Sequence, residues 1–336
     1  MLSSELIPED IELEVRGAAD ALVPFNRVIL AAHVNLDGDA LGSLGAAAWM
    51  LQSLGKEFAI YSSTGVPRYL EFVRLPGPVY TDLASIPFRP ESALYLDCSE
   101  KSRLGKPLEE KMGDWPSINI DHHMAERGLG SVANLLVPRA AATCQLMAYV
   151  ALALSFPLED PLAGCLALGL MTDTGWFTHG NTSAEVLALC ALVVRNGFSL
   201  EKLREQLHNN WSVGKMRLWG SLMSDVHLYC DRRLAFAAVS SEDFQRYHCS
   251  KDDLEGLVEW FRRIRDVEIA AILREETKER CKFSLRSRGN VDVHSIASSL
   301  NGGGHFNAAG GAIDLPLDEA KEVLLAYIEK SLGCAH

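Results

Sequence analysis

Four times in the first half of the chain a short apolar stretch ends abruptly in acidic or imidazole side chains. Residues 27–32 (RVILAA) lead into His33, Asp37 and Asp39, and residues 93–96 (ALYL) lead into Asp97. Residues 117–120 (SINI) lead into Asp121, His122 and His123, and the stretch ending at Met171 leads into Asp173. Residues 57–61 form a further run of strand length. Longer Ala- and Leu-rich stretches of helical length lie between, at 41–54, 140–155 and 162–171. Continuous apolar strands separated by helices predict an α/β domain with a parallel sheet and helices on both faces. Ligands of such sheets bind beyond the carboxyl ends of the strands, which is where these residues fall.

The second half has a different character. Residues 234–239, 267–274 and 281–285 read as strands with more polar alternation. Residues 292–300 read as a short helix, followed by a Gly-rich turn, Asn301-Gly302-Gly303-Gly304-His305. Thr182-Ser183-Ala184-Glu185 has capping-box spacing and predicts a helix running to Asn196-Gly197, at the exit of the first domain. A chain of 336 residues suggests two domains. We expect a catalytic domain over 1–196 and a smaller α/β substrate-binding domain over 199–336, joined across a cleft.

Charge narrows the partners. A formal net charge of −12 does not suit a clamp for long duplex nucleic acid, whose grip comes from many Lys and Arg. A local basic site, or one that borrows charge from metal ions, remains open. No membrane partner is expected, because the most apolar stretch, 146–158, is short of the ~20 residues a span needs. The first residues are acidic and carry no basic segment before an apolar run, so no secretory signal is read there. Eight cysteines without a CxxC pair read as reduced thiols of a cytoplasmic protein, most of them small core residues.

Asp37 and Asp39 flank Gly38, which would let a turn fold tightly between them. Two carboxylates this close resist joint ionisation, and a divalent cation removes the conflict. Asp-Gly-Asp is also common in surface turns. His122 and His123 cannot point the same way on an extended chain, so one would bind metal and the other face a substrate. Six candidate ligands (His33, Asp37, Asp39, Asp97, His122 and Asp173) are enough donors for two ions. Imidazole and carboxylate without thiolate suit Mn²⁺, with Mg²⁺, Co²⁺ or Zn²⁺ as alternatives. A pair of ions ~3.5–4 Å apart suits in-line phosphoryl displacement. In the second half Arg286, Ser287, Gly302, Gly303, Gly304 and His305 could make a compact anion site. It is not a Walker loop, since no Lys-Ser or Lys-Thr follows the glycines. Trp260, Phe261 and Phe306 could stack on a base, although core packing is the commoner use of such residues.

The motifs HVNLDGD, LDCSE, DHH and MTDTG, in this order, resemble those of the DHH phosphoesterase superfamily. The segment CKFSLRSRGNVDVHSIASSLNGGGHFNAAGG is similar to its DHH-associated nucleotide-binding domain. The resemblance spans nearly the whole chain, and the two-domain layout is most similar to the NrnA-type branch, oligoribonucleases and pAp phosphatases. It implies that His33 and Asp37 hold one Mn²⁺, that Asp39, His122 and Asp173 hold the other, and that Asp97 bridges them. Asp97, His122 and His123 would form the catalytic centre, with His123 facing the scissile phosphate and Arg103 nearby. Arg286, Ser287, the glycines and His305 would bind the nucleotide end. The implied function is hydrolysis of short RNA and linear dinucleotides to mononucleotides, and of pAp to AMP. A phosphodiesterase specific for pApA or pGpG, an inorganic pyrophosphatase and a non-catalytic nucleotide sensor are the alternatives, and a homodimer is compatible with all of them. Three positions depart from the family pattern. Leu36 stands where Pro often precedes Asp37, Trp176 where Arg is common, and Glu259 where a smaller polar residue is usual.

Overall fold

The computed structural model describes residues 6–113, 115–208 and 211–334. They divide into two compact units, one up to residue 210 and one from Trp211 onward.

The first unit carries α1 (Glu12–Leu22), β1 (Val28–Ala31), α2 (Gly38–Ser53), β2 (Phe58–Tyr61), β3 (Val79–Tyr80) and β4 (Ser92–Leu96). It continues with α3 (Lys106–Glu109), β5 (Ser117–Asp121), β6 (Ala133–Leu136), α4 (Thr143–Ala153), α5 (Leu162–Asp173), α6 (Ala184–Arg195) and α7 (Leu200–His208). The strands form one sheet in the order β3-β2-β1-β4-β5-β6, and every pairing is parallel. The order reverses direction at β1 and β4, so the carboxyl ends of those strands open the switch-point crevice of such sheets. Alternate residues of β1 serve opposite faces. Val28 and Leu30 pack under the long helices α1, α2, α4 and α5. Ile29 and Ala31 pack on the other face with Tyr95, Leu104 and Leu108. That second face is covered by short turns and α3 rather than by long helices.

Several expectations need correction. Gly38 is not a turn glycine. It is the first residue of α2, and a Cβ there would lie 2.5 Å from the Thr172 hydroxyl. Its small size therefore serves the close approach of α5. The cap of α6 is Ser183, which accepts from the Val186 amide, not Thr182. Expected to leave the first domain, α6 is followed by α7, whose Leu203 is buried in the same core. The compact unit accordingly runs past 196–199 to residue 210.

The second unit carries α8 (Val213–Ser224), β7 (His227–Tyr229), β8 (Leu234–Val239), α9 (Ser241–Tyr247), α10 (Leu257–Phe261) and β9 (Ile269–Thr277). Then follow β10 (Arg280–Ser287), α11 (Val293–Ser299), β11 (Gly303–His305), β12 (Ala308–Ile313) and α12 (Leu317–Leu332). Its sheet runs β11-β12-β10-β9-β8-β7, antiparallel except for the β8–β9 pair. Residues 303–305, expected to be turn, form a short strand paired with β12. The cysteines are not all reduced: Cys230 and Cys334 form a disulfide across 104 residues, Cα to Cα 5.6 Å. Their remoteness in sequence concealed a pairing that the return of α12 to the β7–β8 turn creates. Among the described residues no helix is long and apolar enough to cross a membrane.

Candidate metal centre

Each chemistry-bearing side chain sits just beyond a strand or helix end. Asp37 caps α2, its Oδ1 accepting from the amides of Asp39 and Ala40. The cap engages only Oδ1, and Oδ2 lies 3.5 Å from Nε2 of His33. Nδ1 of His33 faces the Val34 carbonyl at 2.9 Å, which turns Nε2 toward Asp37 and toward Asp97 Oδ2 at 3.3 Å. Asp97 leaves β4 with φ +53, a left-handed conformation that an L-residue holds at a cost of about 1–3 kcal/mol. Such strain concentrates at functional sites, and here it accompanies a carboxylate in contact with three imidazoles.

Those imidazoles are His33, His122 and His123. Nε2 of His122 lies 3.5 Å from Asp97 Oδ1, 3.4 Å from Asp173 Oδ2 and 3.8 Å from Asp39 Oδ2. Its Nδ1 is held by the Ala140 carbonyl at 3.3 Å, the backbone contact that commonly orients a ligating imidazole. Nδ1 of His123 also reaches Asp97 Oδ1, at 3.5 Å. The two histidines thus face one carboxylate, contrary to the alternation expected of a strand, because β5 ends at Asp121 and the chain turns there. The result is three overlapping groups: His33, Asp37 and Asp97; Asp39, His122 and Asp173; and Asp97, His122 and His123. Within each group the candidate ligand atoms lie within 4.8 Å of one another. All six predicted ligands are brought together.

The electrostatics of this cluster suit a cation. Burial, reinforced by the charges of Asp97, Asp173 and Asp37, pushes Asp39 well above the usual carboxylate range. Burial and the charges of Asp37 and Asp97 push Asp173 to about 8. Burial works against a charged His33, yet hydrogen bonds to Asp37 and Asp97 outweigh it and raise it to about 10. Burial lowers His122, favouring the neutral imidazole that ligates metal. Among the described residues, no Lys or Arg pairs with Asp37, Asp39, Asp97 or Asp173. Four carboxylates converging with histidines but no Lys or Arg fit a divalent cation, whose charge would reverse the penalty on Asp39 and Asp173.

The sequence missed the groups that hold this set in place. The first amides of α4 donate to Asp39, Thr143 at 2.5 Å and Cys144 at 2.8 Å, so α2 supplies the cap of α4. The Thr143 hydroxyl donates to Asp97 at 3.0 Å. Asp121, to which the sequence gave no role, accepts from Nδ1 of His123 at 2.8 Å and from the Ser99 hydroxyl at 2.5 Å. A Thr or Ser next to a motif carries no signal that separates it from any other. Arg103 is half-buried. Its carbonyl holds the Val34 amide at 2.7 Å and its charge acts on His123.

Residues 27–170 match the DHH family, N-terminal domain, and residues 233–333 match the DHHA1 domain. A curated relative from Thermus thermophilus, named bifunctional oligoribonuclease and PAP phosphatase NrnA, is 32% identical over 91% of this chain and 90% of its own length. The chain belongs to the DHH family. A Bacillus subtilis protein of the same name is 25% identical, over 89% of this chain and 93% of its own. A solved structure from Bacteroides fragilis, titled an exopolyphosphatase-related protein, superposes with a TM-score of 0.87 at 25% identity, covering 96% of this chain and 97% of its own.

The DHHA1 segment of this DHH phosphoesterase places its expected residues unevenly. Arg286 is a third exposed and donates from Nε to Glu259 at 2.8 Å. Ser287 is buried, its hydroxyl donating to the Val291 carbonyl at 2.6 Å and accepting from Asn307. Gly302 packs edge-on, where a Cβ would lie 2.3 Å from the Gly310 carbonyl, while Gly303 faces open space. Gly304 has φ +139, a conformation other residues rarely adopt. The side chain of His305 lies outside the described residues. Phe261 is core, whereas Trp260 and Phe306 are about half exposed. In the first unit Trp176 occupies a left-handed turn with Gly175 and Phe177 and packs partly buried against the core.

Proposed function

We propose that this DHH protein is a manganese-dependent phosphoesterase that cleaves short oligoribonucleotides to mononucleotides and releases the 3′-phosphate of pAp. The observation that carries this reading is the convergence of six Asp and His side chains into two ligand groups, with Asp97 of the first lying 3.5 Å from His122 of the second. The names of the Thermus thermophilus and Bacillus subtilis relatives support the substrate class.

In this reading His33, Asp37 and Asp97 hold one cation, and Asp39, His122, Asp173 and Asp97 hold the other. Bound there, two divalent ions supply Lewis acidity and favour deprotonated water at the phosphorus. His123 is held by Asp121, which raises its pKa by hydrogen bonding. With Nδ1 engaged, its Nε2 is the atom that would donate to a non-bridging phosphate oxygen. Asp121 itself is lowered: its hydrogen bonds to His123 and Ser99 overcome the burial that opposes ionisation. Arg103 adds positive charge beside His123. In the second unit, Arg286, the glycines 302–304 and His305 would bind nucleotide, with the Ser287 hydroxyl tied to the Val291 carbonyl beside them.

A time course on labelled RNA from two to about twenty-four nucleotides, well beyond the few residues such sites track, tests the reading when run with Mn²⁺ beside pAp, pGpG and pyrophosphate. Rapid loss of the shortest RNAs and of pAp is expected. Faster turnover of pyrophosphate than of RNA, or equal turnover of all RNA lengths, would overturn it.

A further inference from the structure

The last carbonyls of a helix have no partner within it, and at the end of α5 they are satisfied in two ways. The chain turns through Gly175, Trp176 and Phe177, all at positive φ, and its own amides fold back onto the helix. Trp176 donates to the Met171 carbonyl at 2.8 Å and Gly175 to the Thr172 carbonyl at 3.0 Å. The carbonyl of Asp173 receives side chains instead. Nδ1 of His179 meets it at 3.1 Å, and Nδ2 of Asn181 donates to it at 3.1 Å. The same Nδ2 donates to the Ala141 carbonyl at 3.2 Å. A primary amide nitrogen carries two hydrogens, so one atom serves both carbonyls.

Those two carbonyls lie on the two segments that position one ligand group. Asp173 is itself a ligand candidate, and residues 140–144 aim the other two. The Ala140 carbonyl faces Nδ1 of His122 at 3.3 Å, and the amides of Thr143 and Cys144 donate to Asp39. The second group is aimed from elsewhere, His33 by the Val34 carbonyl and Asp37 by the amides of Asp39 and Ala40. Of that group only Asp97 touches the 140–144 segment, through the Thr143 hydroxyl.

We propose that Asn181 is a positioning residue for one cation of the pair: its amide ties the end of α5 to the 140–144 segment and so fixes the spacing of Asp39, His122 and Asp173. This rests on the reading above, in which the cluster holds two cations. Asn181 acts through the backbone and contributes to none of the candidate ligand groups. It is exposed, so water replaces part of each hydrogen bond when the side chain is removed, and the effect is moderate. It falls on the affinity of one ion rather than on folding, because the helices that carry the ligands are held by the core.

The test titrates chelator-stripped protein with Mn²⁺ alone, by calorimetry, so that no substrate and no turnover enter. The parent should bind two ions. In Asn181→Ala the dissociation constant of one ion should rise about three- to tenfold, the range of one or two ordinary hydrogen bonds. That of the other ion should stay within about twofold, inside the spread of such contacts. The melting temperature in chelator should move by no more than about 4 °C. His179→Ala removes a contact to Asp173 alone and should raise the same constant by less than Asn181→Ala does. An unchanged affinity in Asn181→Ala, an equal loss for both ions, a larger fall of the melting temperature in chelator, or an equal or greater loss in His179→Ala would overturn the proposal. The parent separates the two levels. Two ions bound by the parent and no effect in Asn181→Ala count against Asn181 only, whereas a parent that binds fewer than two ions sinks the two-cation reading and the proposal together.

Discussion

At the scale of single residues, the cluster depends on groups that aim other groups. Asp121 contributes to none of the three candidate ligand sets, yet it receives both the ring and the backbone amide of His123. Its hydrogen bond is the main reason the imidazolium of His123 persists above the ordinary histidine range. Asp121→Asn keeps the shape and removes the charge. Activity should fall about 10- to 100-fold, the usual cost of losing such an orienting partner. The pH profile should change in a defined direction. If His123 acts as a donor, activity is lost as pH rises through its pKa, and without Asp121 that loss should begin at lower pH. An alkaline limb that stays in place in Asp121→Asn would show that Asp121 does not act through His123. The sequence reading reached the six ligand candidates because each breaks an apolar run. It gave Asp121, Ser99 and Thr143 no role because an orienting residue differs from a solvent-facing one only in what it touches.

At the scale of elements, strands were legible and helix contacts were not. Residues 93–96 are apolar throughout, and 117–120 alternate isoleucine with the buried polar residues Ser117 and Asn119, because both faces of β4 and β5 are covered. The close approach of α2 to α5 has no comparable signature: Gly38, Gly42 and Gly45 read as residues of a small-residue helix or turn. In the fold a Cβ on Gly42 would lie 2.4 Å from the Cys165 carbonyl. One on Gly169 of α5 would lie 2.3 Å from Asp39 Oδ1 and 2.4 Å from Cys144 Sγ. Alanine ordinarily gains up to about 1 kcal/mol over glycine inside a helix. At Gly169 the clash decides the sign, because Asp39 cannot retreat from the amides of Thr143 and Cys144 that hold it. Gly169→Ala should destabilise the protein by about 1–3 kcal/mol and weaken Mn²⁺ binding, read by denaturant melts and metal titration. Gly17→Ala on the exposed side of α1, where nothing lies within 4 Å, is the control and should gain about 0.5–1 kcal/mol. Equal gains at both positions would mean that α5 can shift without disturbing Asp39.

At the scale of the whole molecule, the metal centre should govern how stability responds to pH. Asp173, raised by burial and by its carboxylate neighbours to about 8, holds a proton in the folded state that it releases on unfolding. Between the ordinary carboxylate pKa and about 8, rising pH therefore favours the unfolded chain. Asp39 is displaced the same way. His33 adds to this from its ordinary value up to about 10, since its partners outweigh burial and a raised histidine loses its stabilising contribution as pH climbs. His123, raised by Asp121, acts in the same direction, and His122, lowered by burial, opposes them near neutrality but is one group against four. Asp37, held near 2 mainly by its contact with His33 against the cost of burial, changes only at acid pH. Chelated protein should accordingly show a melting temperature that declines from about pH 5 to about pH 9, opposite to the usual acid-labile behaviour. A cation binding these groups must displace their protons, so its stabilisation grows with pH. Added Mn²⁺ should raise the melting temperature more at about pH 8.5 than at about pH 6, with the shift increasing logarithmically with metal concentration. A flat profile in chelator, or a Mn²⁺ shift that is larger in acid than in base, would mean that the carboxylates are already ionised and paired without metal, and the reading of this cluster as a cation site would fall with it.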